Sequence, residues 1–184
     1  MRRSGCSVEV FVLISSLAWT SPVWAQAEYL FHDTDLGVSV SVPAGWSKDT
    51  SRPIVPSILA NFRRGNSEIT LQSFAVEEGV EEMRGFLSGT EFDLLGYERF
   101  YLSKTDWLAK AIEEPRKIVI GNTEAVVSLS EQTVFGLMKL KVLDYVFYDS
   151  KRKRTYHLRL YSPEDSFETD NPDFLSAVNS FTIE

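Results

Sequence analysis

Between Thr123 and Tyr161 the chain alternates apolar and polar residues with period two. Glu124 to Leu129 places Ala125, Val127 and Leu129 on one face and Glu124, Val126 and Ser128 on the other, as in a half-buried strand. Leu140 to Tyr148 alternates less cleanly, because Leu143, Tyr145 and Phe147 share one face while Val142 and Val146 share the other with Asp144. That pattern predicts a strand covered on both sides, or one whose faces a bulge exchanges. After the charged connection Asp149 to Arg154, Tyr156, Leu158 and Leu160 point one way and Thr155, His157 and Arg159 the other. Connections this short predict an antiparallel meander, since parallel neighbours need a crossover of a dozen or more residues.

The same pattern extends toward the N-terminus. Tyr29 to His32 reads as a strand, Asp33 to Gly37 as a turn, and Val38 to Val42, valines alternating with serines, as a strand with one buried face. Pro43-Ala44-Gly45 stops it, Trp46 is expected to cap the core edge, and Ser51 to Ser57 reads as a loop. Ile58 to Arg63 and Glu68 to Phe74 predict a hairpin. From Gly79 to Ile112 the period changes to helical spacing, in Val80, Met83, Phe86 and Leu87 and again in Trp107, Leu108 and Ile112, which predicts a helical insertion. Lys117 to Ile120 and the turn Gly121-Asn122 return the chain to the sheet. Asn171 is placed to cap a closing helix with Pro172 at its first position and Phe174, Leu175, Val178 and Phe181 as its apolar stripe. The expected class is α+β, an antiparallel sheet sandwiched by helices.

The first residues change the picture of where such a domain works. Arg2 and Arg3, an apolar stretch from Val10 to Trp19, and small residues at Ala25 predict a secretory signal peptide over residues 1–25, with cleavage after Ala25 or, as the near alternative, after Ala27. The apolar stretch falls short of the ~20 residues of a membrane-spanning helix, so no stable membrane insertion is expected after cleavage. Residues 26–184 form the expected single domain, periplasmic or secreted. Cys6, the only cysteine, leaves with the signal, which excludes a disulfide, a catalytic thiolate and a sulfur-ligated zinc site from the mature chain. The formal charge of −7 for the whole sequence argues against nucleic acid as a partner.

Chemistry has few candidates. His32 with Asp33 and Asp35 fits no metal-loop spacing and reads as a solvated strand end. His157 and Arg159 share a strand face and, with Glu124 or Asp144 from neighbouring strands, make a polar cluster; on an open face this is ordinary cross-strand pairing, but under a helix it becomes a buried titratable group worth testing. Glu77, Glu78, Glu81 and Glu82 read as the wet face of the first helix, and Tyr97, Phe100, Tyr101 and Trp107 as core or cleft edge. Lys151, Arg152, Lys153 and Arg154 place four cations at one hairpin end of an acidic protein, a candidate partner-binding surface or a solvated tip that discourages edge pairing. There is no Gly-rich phosphate loop and no nucleophile elbow, so no enzyme and no cofactor are expected.

Gly37 to Trp46, Ile120 to Ala125, Thr155 to Tyr161 and Phe174 to Phe181 resemble the PsbP-like family, which includes the extrinsic PsbP subunits of photosystem II and many exported bacterial proteins. The resemblance implies an α/β/α sandwich over residues 26–184 and a non-catalytic role in binding another exported or membrane-associated protein or in assembling a complex. It transfers no functional residue, because its motifs are strand turns and helix ends that serve packing. The alternatives from other classes are a small-ligand or metal-ion carrier with a cleft between sheet and helical insertion, and a hydrolase built on His157.

Overall fold

A computed structural model describes residues 29–50, 57–76, 86–88, 91–105, 109–134 and 136–184. The expected signal peptide, most of the Ser51 to Ser57 loop, Val80, Met83, the acidic run at Glu77, Glu78, Glu81 and Glu82, and Trp107 and Leu108 lie outside the described residues.

In chain order the elements are β1 (Tyr29–Asp33), β2 (Val38–Val42), β3 (Ser47–Lys48), β4 (Ile58–Arg64), β5 (Ser67–Ala75), β6 (Leu87–Ser88), β7 (Glu91–Phe92), α1 (Leu94–Thr105), β8 (Ala109–Ile120), β9 (Thr123–Val134), β10 (Met138–Asp149), β11 (Arg154–Pro163), α2 (Phe167–Ser180) and β12 (Thr182–Ile183). A seven-stranded antiparallel sheet runs in the order β3-β4-β5-β11-β10-β9-β8, beside a small β1-β2-β12 sheet and the β6-β7 pair. Consecutive pairing of β8 through β11 is the meander that the short connections require.

The main core lies on one face of the large sheet. Val38, Val40 and Val42 of β2 and Phe174, Ala177 and Val178 of α2 pack there with Phe62, Leu71, Phe147, Tyr156 and Leu158. On the opposite face Leu94 and Tyr97 of α1 pack with Val126 and Val146. The sheet is thus covered by a helix on each side, an α+β sandwich. This explains the double-sided pattern of β10, whose register with β9 and with β11 contains no bulge. Trp46 is buried at the edge of the main core, as expected, with Arg64 stacked 4.5 Å from its ring.

Three readings differ from expectation, the first being that Phe86 lies in a turn and Leu87 on the short strand β6, not on a helix. Ile112 lies on strand β8 and not on a helix, and half of it is exposed. Bulges between Ala111 and Glu113 and between Glu113 and Arg116 break the alternation of β8, which hides it from a period-two reading. Pro115 is tolerated there because β8 is an edge strand. The closing helix starts at Phe167, so Asn171 and Pro172 sit inside it and not at its cap. The burial of Phe167 and Asp170 pulls the chain into helix a turn early, and Pro172 deprives only the exposed Glu168 carbonyl of its bond.

Asp170 fastens α2 to the sheet. Its carboxylate accepts from Ser162 Oγ at 2.6 Å, from Arg64 Nη2 at 2.7 Å and from Ser67 Oγ. Burial would raise its pKa, but these donors outweigh burial and hold it below the usual carboxylate range. Asp170→Ala leaves two buried serine hydroxyls without their acceptor. The expected loss is about 2–3 kcal/mol of unfolding free energy by urea titration, and a loss within ±0.5 kcal/mol would show the lock to be incidental.

Candidate functional site: a buried polar cluster beside an open trough

Strand register sets the geometry of the site. Asn61, Thr70, Arg159, Asp144 and Ser128 are successive cross-strand neighbours on β4, β5, β11, β10 and β9, so five polar side chains line up across the sheet on the α1 face. All five are buried. Helix α1 covers one end of this row, capped at its start by Asp93, whose Oδ1 accepts from Gly96 N at 3.0 Å. A Cβ at position 96 would lie 2.3 Å from the Asp93 carboxylate, so glycine there makes room for the cap.

Under α1 the row gains Glu98, Tyr97 and His157, and both Glu98 and His157 are fully buried. His157 Nδ1 lies 2.9 Å from Asp144 Oδ2 and its Nε2 lies 3.0 Å from the Tyr97 hydroxyl. Arg159 Nη2 lies 2.7 Å from the same Nδ1, so that nitrogen sits between a cationic donor and the anionic Asp144 carboxylate. Arg159 donates through Nε to Asp144 Oδ2, and through Nη1 to Gln72 Oε1 at 2.9 Å and to the Tyr101 hydroxyl at 3.1 Å. Ser128 Oγ donates to Glu98 Oε1 at 2.7 Å. The other oxygens, Glu98 Oε2 and Asp144 Oδ1, are buried without a partner.

Charge follows from these contacts. Burial, with the nearby Asp144 carboxylate adding to it, pushes the Glu98 carboxyl up to about 8, so it is protonated at neutral pH. Burial would raise Asp144 as well, but Arg159 and His157 outweigh it and hold Asp144 below the usual range. Burial lowers the His157 pKa against the pull of Asp144, leaving a neutral ring. With Arg159 cationic the cluster is neutral overall.

Tyr97, His157 and Asp144 have the connectivity of a nucleophile, base and orienting acid. Their chemistry runs the other way, since burial raises the Tyr97 hydroxyl well above its ordinary pKa and no solvent reaches the ring. A nucleophile needs a lowered pKa and an open face. Glu98, Asp144 and His157 also each present a ligand atom within 4.8 Å of one another, the one such group of metal-ligating side chains among the described residues. Their donor set fits a divalent cation poorly, because Arg159 already neutralises Asp144 and both ring nitrogens of His157 are engaged.

Beyond the C-terminal end of α1 the same sheet face is open. A trough of about 480 Å³ crosses it, with Gln72, Thr70 and Glu68 at one side, Gln132 at the other, and Leu140 and Tyr161 on its floor. A side cavity of about 40 Å³ shares Gln132 and Tyr161 with the trough and reaches Asp144, Ser128 and Ser130 beneath Tyr101. Thr70 Oγ1, buried at the trough, has no partner.

The sequence-derived candidates separate. His157, Arg159 and Asp144 come together under a helix, the case in which the cluster was worth testing, whereas Glu124 pairs with Lys117 on the surface. Tyr97 is core, and Tyr101 roofs the side cavity. His32 is exposed, and Asp33 Oδ1 is used by the turn amides of Asp35 and Leu36. In the basic hairpin Arg152 turns inward to Asp149 Oδ2 and the Glu184 carbonyl, both at 2.9 Å, and Arg154 Nε donates to Ser73 Oγ at 2.8 Å. Lys151 and Lys153 are exposed at the turn. Glu98 was missed, yet Leu94, Tyr97, Glu98 and Tyr101 fall at i, i+3, i+4 and i+7, which puts a carboxyl in the buried stripe of a helix.

These features define an α+β sandwich of the PsbP and Mog1 type. The solution structure of cyanobacterial PsbP from Synechocystis superposes with a TM-score of 0.61 at 17% identity, over 91% of this chain and 99% of that one. The yeast Ran-binding protein Mog1p of Saccharomyces cerevisiae gives 0.53 at 9% identity over 86% and 96%, and LpqN of Mycobacterium tuberculosis, involved in cell envelope biogenesis, 0.51 at 13% over 85% and 90%. At such identities the likeness is one of fold. No family model matches the chain, and no curated protein matches it. No helix among the described residues is long and apolar enough to cross a membrane.

Proposed function

We propose that the chain is an exported, non-catalytic domain that binds another protein and helps assemble or hold a complex, in the periplasm or outside the cell. The observation that carries this reading is the burial of the Tyr97–His157 pair under α1: the side cavity reaches Asp144 but is not lined by Tyr97 or His157, and burial shifts the tyrosine away from reactivity. The fold supports it, since Mog1p is a Ran-binding protein. Lys151, Arg152, Lys153 and Arg154 remain the proposed electrostatic contact, with Lys151 and Lys153 as its outward charges and Arg152 and Arg154 shaping the turn.

The test is capture of partners from the native envelope by the tagged mature chain, with Lys151→Glu and Lys153→Glu alongside. Two charge reversals at a partner's surface are expected to slow association and to cut capture severalfold at low salt, with the difference shrinking as salt rises. No specific partner, or the same capture by the reversed variants at every salt concentration, would count heavily against the reading. A small-ligand carrier is a second reading, favoured by the side cavity between the sheet and α1. Native mass spectrometry of freshly purified protein separates the two, because a retained molecule favours the carrier.

A further inference from the structure

The trough and its side cavity have a hydrogen-bonding demand that the chain does not meet itself. Asp144, buried in the row, lines the side cavity and has one oxygen, Oδ1, without a donor. Thr70 Oγ1 repeats this at the trough. A buried acceptor left unmet costs about 1–3 kcal/mol, so the connected space favours an occupant that brings a donor to it.

Charge narrows that occupant. Asp144 is neutralised by Arg159, and at the rim Arg63 lies 3.5 Å from Glu68. A charged head group entering the cavity would find no counter-charge left over, whereas a neutral donor satisfies the free oxygen and leaves the Arg159 pair undisturbed. Size narrows it further. About 40 Å³ holds a group of a few heavy atoms, which suits a carboxamide or a hydroxyl. The trough outside runs from β5 across β11 and β10 to β9, three strand spacings or roughly 14 Å, about the span of four extended residues. Its sides carry the carboxamides of Gln72 and Gln132, which donate and accept as a peptide group does, and Val134, Met138 and Leu140 offer apolar contact between them.

We propose that this trough docks an uncharged, extended segment of a partner protein, which inserts one carboxamide- or hydroxyl-bearing side chain into the side cavity toward Asp144 Oδ1. The proposal rests on the protein-binding reading and gives it a second contact, on the sheet face and apart from the basic hairpin. Asn66 and Gln72 on one side and Gln132 on the other hold the segment's backbone, and Ser130 and Tyr161 shape the pocket for its anchor.

The experiment uses three blocked peptides, acetyl-Leu-Asn-Leu-amide and its Ala and Lys counterparts, titrated into isotope-labelled mature protein and followed by backbone amide shifts. The asparagine peptide is expected to move the resonances of Ser130, Asp144 and Tyr161 and to bind about tenfold more tightly than the alanine peptide, the worth of one hydrogen bond to a charged acceptor. Ser130→Leu plugs the cavity and is expected to erase that preference. Ser130→Val, a smaller plug on the same wall, gives a second variant should Ser130→Leu fail to fold, with the same expected loss of preference. Equal binding of the asparagine and alanine peptides, tighter binding of the lysine peptide, or shifts confined to other surfaces would each overturn the proposal. If the peptides fail while capture through Lys151 and Lys153 persists, this inference falls and the protein-binding reading stands.

Discussion

Arg159→Met is expected to lower the unfolding free energy by about 3–5 kcal/mol, the usual consequence of stranding one member of a buried ion pair. Asp144 would keep its desolvated position and lose the guanidinium that holds it ionised, and Gln72 and Tyr101 would lose a donor each. Protonation offers the carboxyl an escape, so the loss is greatest at neutral pH and shrinks as the solution is acidified. Methionine matches much of the aliphatic stem, which keeps the packing change small. Replacing both partners, Asp144→Leu with Arg159→Met, is expected to recover most of the loss, because the desolvation penalties disappear together. Urea unfolding of the single and double variants measures this, and a single-variant loss below about 1 kcal/mol would mean the pair is solvated in solution.

The second large effect is one of pH. The Glu98 carboxyl titrates near 4.3 in an unfolded chain and at about 8 in the fold. The folded state therefore holds the proton more tightly. Its contribution is complete below ~4.3 and is lost as pH rises through about 8, with a slope of up to about 1.4 kcal/mol per pH unit in between. Around Glu98 stand Asp144 on β10, His157 and Arg159 on β11, Ser128 on β9, and Tyr97 and Tyr101 on its own helix. Asp144, with its lowered pKa, acts in the opposite window and loses its contribution as the solution turns acid through its folded value. Glu98→Gln keeps the size and an acceptor for Ser128 but cannot ionise. The variant is expected to show a flat stability profile where the wild type declines, and to be the more stable protein above pH 8. Parallel profiles for the two proteins would place the titration elsewhere.

How much of this was legible beforehand depended on whether local pattern and tertiary burial agreed. The meander from Thr123 to Tyr161 was readable because β9 and β11 alternate, β10 carries the apolar run of a strand covered on both faces, and each connection is short. Strand β8 was not, since its bulges at Glu113 scramble the alternation and leave Ile112 at a spacing that imitates a helix. The start of α2 was misplaced because Asn171-Pro172 is a strong local start signal, overruled by Asp170, whose partners Ser67 and Arg64 lie about a hundred residues away in the chain. His157, Arg159 and Asp144 could be gathered from strand faces alone. Whether a helix covered them could not, because the covering helix lacks a plain apolar stripe: Glu98 occupies one of its buried positions.

The polar row across the sheet bears on how the chain finds its register. Moving any one of β4, β5, β9, β10 or β11 by a single residue would turn Asn61, Thr70, Ser128, Asp144 or Arg159 into the apolar core and bring Phe62, Ile69, Leu129, Leu143 or Leu160 out onto the opposite face of the sheet. Most of these exchanges place a hydrogen-bonding side chain among aliphatic neighbours that cannot answer it, so misaligned sheets sit well above the native one in free energy. The row thus proofreads strand alignment, which makes the correct pairing the only one in which every layer of the sandwich closes.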